Sequence, residues 1–165
     1  MSRLALLFLV GAIVLLRQHG YLLRAAPAQL PAPVAVAATD RERWAIDFLA
    51  ALGNSTPSAA TVDMIVEWTR AEDAGVGALR RNNPLNTTQP GFAENVTINV
   101  DGVKGYATRA AGIAASVHTI TNGLYDPVVA ALRANDPNAA RAALWASPWA
   151  ASHYGYGARW PREEH

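Results

Sequence analysis

Apolar residues recur at helical spacing through most of the chain and alternate in one short stretch. Thr39-Asp40-Arg41-Glu42 has capping-box spacing, with Thr39 as N-cap and Glu42 three residues on. Trp44, Phe48, Leu49 and Leu52 then share one helical face, and Gly53 can supply a left-handed stop. Thr56 as N-cap and Pro57 at the first helical position predict a second helix. Val62, Ile65, Val66 and Thr69 form its apolar stripe. At about 100° per residue, Glu67 falls opposite that stripe and is expected to face solvent. Glu72 falls at the stripe's edge, beside Ile65 and Trp68. Asp73 falls nearer its centre, at a frayed end before Gly75.

The period then changes. Val96, Ile98 and Val100 alternate with polar residues, Asp101-Gly102 reads as a hairpin turn, and Val103 to Tyr106 returns. Helical spacing resumes at Ile113, Val117, Ile120 and Leu124. Asp126-Pro127 and Asp136-Pro137 each read as an N-cap followed by a first-turn proline, opening two short helices. The first carries Val128, Val129 and Leu132, the second Leu144 and Trp145, with Trp145 expected in the core. Ser147 to Trp160 is aromatic and glycine-bearing without a clear period. The pattern predicts an α+β fold, mainly α, with one small hairpin inserted after the second helix.

The N-terminus differs in kind. Arg3 precedes an apolar run from Leu4 to Leu16, and Arg17 ends it. At about 1.5 Å rise per residue the run is shorter than a hydrocarbon core of about 30 Å. It fits the apolar region of a secretory signal peptide. With Gly20 to Leu23 added, it fits an uncleaved signal anchor. Residues 1–24 are therefore expected to target or anchor the chain, giving an exported protein of the cell envelope with a membrane contact through this segment. Residues 25–38, rich in Ala and Pro, read as a linker, and 39–165 as the folded domain.

Composition narrows the chemistry. A net charge of +1 over 165 residues gives no bulk attraction to nucleic acid. The absence of cysteine removes disulfides, thiolate metal sites and cysteine nucleophiles. His19, His118, His153 and His165 have no metal-ligand spacing, and no nucleotide-binding motif occurs, so no cofactor or metal is implied. Attention falls on Glu72, at the end of a buried helix, followed by a glycine break and the loop Asn83-Pro84-Leu85-Asn86-Thr87-Thr88, which can curl back towards it. Burial beside Trp68 and Ile65 disfavours a charged carboxylate, and so does the negative end of the helix. A neutral carboxylic acid is what glycoside cleavage needs to protonate the leaving oxygen. Asp73 is a rival acid, and Glu94 or Asp73 a possible second carboxylate. A substrate 2-acetamido group can replace the protein nucleophile. Tyr154 and Tyr156 are candidates for stacking on sugar faces.

Trp68 and Glu72, the Asn83–Thr88 run, Asn99, Gly102-Val103-Lys104, Tyr106, Gly112-Ile113, Thr119-Ile120, Gly123 and Tyr125 form an ordered series. Ser147-Pro148-Trp149 and His153-Tyr154-Gly155 extend it. The series resembles lysozyme-like muralytic domains of bacteria and their phages, especially the glucosaminidase-type branch, over about Arg41 to Trp160. The resemblance implies a lysozyme-like helical domain with Glu72 as catalytic acid. Asn83, Pro84 and Asn86 would shape the cleft and Tyr106 would line it. The implied partner is the peptidoglycan glycan strand, cut at a β-1,4 bond between amino sugars. Two positions depart from the family pattern: Asp73 stands where a small residue is usual, and Gly105 where a polar one is common. Alternative expectations on the same fold are a non-catalytic glycan-binding module and a structural or phage-associated interaction protein.

Overall fold

A computed structural model describes residues 38–72 and 77–153. The expected targeting segment 1–24, nearly all of the linker 25–38, and Asp73, Tyr154 and Tyr156 lie outside the described residues. What is described is mainly helical with a two-stranded antiparallel sheet. No described helix is long and apolar enough to cross a membrane.

Helix α1, Asp40–Ala51, opens on the full capping box. The Thr39 hydroxyl accepts from the Glu42 amide at 3.2 Å, and the Glu42 carboxylate accepts from the Thr39 amide. Its buried face carries Trp44, Ala45, Phe48 and Leu49, with the Trp44 and Phe48 rings stacked at 4.9 Å. Gly53 leaves the helix at φ +99°, the left-handed geometry that terminates it.

Helix α2 spans Ala59–Glu72 and so begins later than Thr56-Pro57 predicts. The capping interaction belongs to Ser58, whose hydroxyl accepts the Thr61 amide at 3.2 Å. Ser58 is itself fixed from outside, its amide donating to Asn135 Oδ1 at 2.8 Å. The predicted stripe of Val62, Ile65, Val66 and Thr69 is buried. Glu67 is not a solvated residue. It pairs with Arg141 at 2.7 Å, and both side chains are largely buried.

A short 3-10 turn, Ala78–Arg81, leads into the Asn loop. Strands β1, Glu94–Thr97, and β2, Lys104–Tyr106, then pair antiparallel, Val96 opposite Gly105, with a bulge between Glu94 and Val96. All of β1 is exposed, whereas Gly105 and Tyr106 of β2 are buried. The alternating valines thus pack against nothing on their outer side: Val96 and Val100 stay exposed.

Helix α3, Arg109–Ile120, has Thr108 as N-cap and stops four residues short of Leu124. Gly123 turns the chain at φ +92°, and Leu124 is left exposed. Helix α4 is Asp126–Arg133, with Asp126 already inside it and Tyr125 as the cap residue. Helix α5, Pro137–Ala146, is capped as predicted, Asp136 accepting from the Ala139 amide at 2.9 Å. A further short helix, α6, Pro148–His153, arises where no period is visible. Helix α1 packs on α2 and α3, α5 on α4 and α2, and α6 on α5. The core runs from Trp44 and Phe48 through Ile65, Trp68, Leu85 and Ile120 to Leu132 and Leu144, with Trp145 only part-buried at its margin. Leu85 is completely buried, and its burial contributes about 2 kcal/mol that pins the Asn loop to the core.

Candidate active site at the end of helix α2

Glu72 is the last residue of α2 and is half-buried. Its carboxylate oxygen Oε1 accepts the Trp149 indole N–H at 2.6 Å. That indole is held in turn by two other rings. Trp68, one helical turn before Glu72, meets it edge-on at 5.0 Å and 76°. Tyr125 meets it at 5.7 Å and 70°. These are favourable edge-to-face geometries, so the donor to Glu72 has little freedom to rotate away. Burial holds the Tyr125 phenol above its ordinary range, so it stays neutral beside the site.

The loop does curl back to the helix. Asn86, at φ +52°, donates from Nδ2 to the Glu72 main-chain carbonyl at 2.5 Å. That carbonyl is one of the acceptors a helix C-terminus leaves without an internal donor. Asn86 therefore caps α2 at the candidate acid.

Asn83 is fully buried and acts on backbone. Its Nδ2 donates to the Thr87 carbonyl at 2.9 Å and the Lys104 carbonyl at 2.6 Å. Its Oδ1 accepts the Thr87 amide at 2.9 Å. One side chain thus closes the loop and ties it to β2. Tyr106 completes the tie: its hydroxyl donates to the Gln89 carbonyl at 2.8 Å and lies 3.0 Å from Thr87 Oγ1. Burial pushes this phenol above its ordinary value, partly offset by the Thr87 hydrogen bond. Asn82, at φ +57°, donates to the Tyr106 carbonyl at 2.9 Å.

The predicted site residues therefore separate by role. Glu72 and Asn86 come together. Asn83, Pro84 and Tyr106 are buried, and the hydrogen bonds of Asn83 and Tyr106 are spent on holding the loop to β2. Glu94 is exposed on β1, its carboxylate accepting the Gly91 and Phe92 amides at 3.0 and 3.1 Å. Its own backbone amide, then those two and nearby Lys104, hold its carboxyl below the usual range. Glu94 is a turn-capping anion and a weak base. Asp73, Tyr154 and Tyr156 lie outside the described residues.

Trp149 belongs to the ordered series of the sequence, but its role as donor to Glu72 is not legible there. It lies 77 positions from Glu72, beyond any local period. The available signal is Pro148, which opens the helix that carries Trp149.

A wide groove lies elsewhere. It encloses about 840 Å³ between α1 and α3, with Ala51, Phe92, Ile113, Ala114, Val117 and His118 in its walls. Phe92 and His118 face each other at 5.4 Å. Neither Glu72 nor its partners Trp149 and Asn86 line it. Among the described residues no cluster of His, Asp and Glu is arranged to hold a metal ion. Comparison with protein-family models, curated proteins and solved structures gives no match.

Proposed function

We propose that the chain is a peptidoglycan glycan-strand hydrolase on a lysozyme-like fold, exported or membrane-anchored, with Glu72 as general acid. The observation that carries this reading is the Glu72 carboxylate itself: half-buried at a helix end, oriented by the Trp149 N–H, and set among the rings of Trp68, Trp149 and Tyr125. In the protonated acid, the oxygen that accepts from Trp149 is the carbonyl oxygen. The other oxygen then carries the proton to the glycosidic oxygen as the C–O bond breaks. Glu94 is committed to its turn, so the reading assigns the nucleophile to the 2-acetamido group of the substrate sugar.

Incubating the protein with purified peptidoglycan should release soluble glycan fragments. Glu72→Gln, an isostere that keeps an acceptor for Trp149, should abolish release while the thermal melt stays close to wild type. Full activity in that variant would remove Glu72 from the chemistry. Mass analysis of the new chain ends identifies the bond cut.

A second reading, glycan binding without cleavage, is favoured by the position of the groove between α1 and α3. Its aromatic Phe92 and rim of Asp47, Arg109 and Thr121 suit a sugar face and its hydroxyls. Under this reading the wild-type protein co-sediments with peptidoglycan, releases nothing, and loses binding on Phe92→Ala but not on Glu72→Gln.

A further inference from the structure

A smaller cleft of about 330 Å³ lies where the first turns of α1 and α3 meet the 3-10 turn. Its lining is Asp40, Trp44, Leu79, Arg80, Asn82 and Arg109. Two of these residues present donors without acceptors, and a third, Arg109, is held only loosely. The Arg80 guanidinium has no hydrogen-bond or ion-pair partner among the described residues. The Trp44 indole Nε1 is buried and has no acceptor, although Trp44 is only 1% exposed. An unsatisfied buried donor costs about 1–3 kcal/mol, and natural structures seldom carry one without a reason. Arg109 reaches its two carboxylates only loosely, Asp47 at 3.4 Å and Asp40 at 4.0 Å.

The charge in the cleft has one sign to spare. Asp40 is the single acid in the wall, and Arg43 already binds it at 2.5 Å. The Arg80 guanidinium, the Arg109 N–H groups not spent on Asp47, and an indole N–H then remain for a ligand. Both helices also direct their N-terminal, partially positive ends to this region, α1 starting at Asp40 and α3 at Arg109. A guanidinium fork matches a planar carboxylate through paired N–H···O bonds. A volume near the lower bound of small-molecule sites suits one short, polar chain end.

We propose that this cleft binds a carboxylate-bearing ligand, a short peptide end being the fitting size, through the guanidiniums of Arg80 and Arg109 and the indole N–H of Trp44. The site is built from residues other than Glu72 and its partners. It therefore stands or falls independently of glycan cleavage, and its test reads binding alone.

The full chain in detergent is titrated to about 10 mM with N-acetyl-alanyl-alanine, with the same dipeptide as its C-terminal amide, and with inorganic phosphate. Binding is followed by calorimetry and by the indole N–H resonances, that of Trp44 assigned by its loss in Trp44→Phe. The free acid should shift the Trp44 resonance. The amide should bind at least tenfold more weakly, about 1.4 kcal/mol, and Arg80→Gln should weaken the acid by at least as much. Arg80 is exposed, so that variant keeps the test decisive if Trp44→Phe does not fold. Glu72→Gln should bind the dipeptide as wild type does. Equal affinity for acid and amide, a Trp44 resonance that stays still, or an unaffected Arg80→Gln would each overturn the site. Tighter binding of phosphate than of the dipeptide would overturn the carboxylate assignment.

Discussion

Gly112 in helix α3 makes the sharpest test of the packing that positions the Asn loop. Helix propensity alone predicts that Gly112→Ala stabilises the protein by about 1 kcal/mol. The structure predicts the opposite. A Cβ at this position would stand 1.6 Å from the Asn82 carbonyl oxygen, 2.8 Å from its carbonyl carbon and 3.3 Å from its Cβ. Carbon and oxygen must separate to about 3.1 Å, so α3 and the loop must part by roughly 1.5 Å. The obstruction is main chain, and Asn82 has little slack. It sits at φ +57°, its amide donates to the Leu79 carbonyl at 3.1 Å, and its side chain donates to Tyr106 at 2.9 Å. Overpacking of this severity costs about 3 kcal/mol, and a loosened Asn82–Tyr106 bond adds about 1. Set against the propensity gain, the net loss is about 3 kcal/mol. For a domain of this size that lowers Tm by roughly 10 °C, read by circular dichroism melts and urea midpoints. Gly105→Ala is the control. There the new Cβ meets Val96 Cγ1 at 2.7 Å and Asn95 Oδ1 at 3.2 Å, side-chain atoms on an exposed strand. They can rotate aside, and the cost should stay under about 1 kcal/mol. A Gly112→Ala protein as stable as wild type would refute the close approach.

Trp149→Phe keeps an aromatic ring against Trp68 and Tyr125 but removes the donor to Glu72. It should cost about 1–2 kcal/mol of stability and, under the proposed glycan cleavage, lower kcat by roughly tenfold or more in the folded protein, with KM little affected. An unchanged kcat would deny Trp149 a positioning role. Tyr106→Phe should cost about 1–2 kcal/mol, since it strips the Gln89 carbonyl and Thr87 of their partner. The raised Tyr106 phenol also links stability to alkaline pH. A folded value above the unfolded one contributes stability that is complete below about pH 10 and lost as pH rises through the folded value. Urea midpoints should therefore fall at high pH in wild type and less steeply in Tyr106→Phe. Glu67→Gln should destabilise by about 1–3 kcal/mol by leaving the part-buried Arg141 without its anion. A change within about 0.3 kcal/mol in urea titration would return Glu67 to the solvated role that helical phase assigns it.

What the sequence makes legible here is local. The Thr39–Glu42 capping box, the stripe of α2, the Gly53 stop and the Asp136 cap each depend on residues within a turn or two, and each is present. The misreadings arise where a distant residue outbids the local signal. Glu67 faces away from its own helix stripe, yet Arg141, 74 positions on, meets it. Ser58 supersedes Thr56 because Asn135 fixes it. The same division runs through the candidate site. Glu72 is placed correctly by helical phase, because its burial follows from the face of its own helix. Trp149 has no periodic trace, because the contact is set by how α6 meets α2. The Asn loop falls between these cases. Its run of asparagines signals an unusual backbone, and two of them, Asn82 and Asn86, do take positive φ. The run does not reveal which asparagine faces a ligand. Asn83 spends its whole amide on the loop and on β2, so a strict need for Asn at that position follows from loop closure alone. A motif of this kind therefore reports a fold more strongly than an activity. The proposed catalysis is therefore tested at Glu72 and Trp149, where substitution can remove a proton or a donor while the loop stays closed.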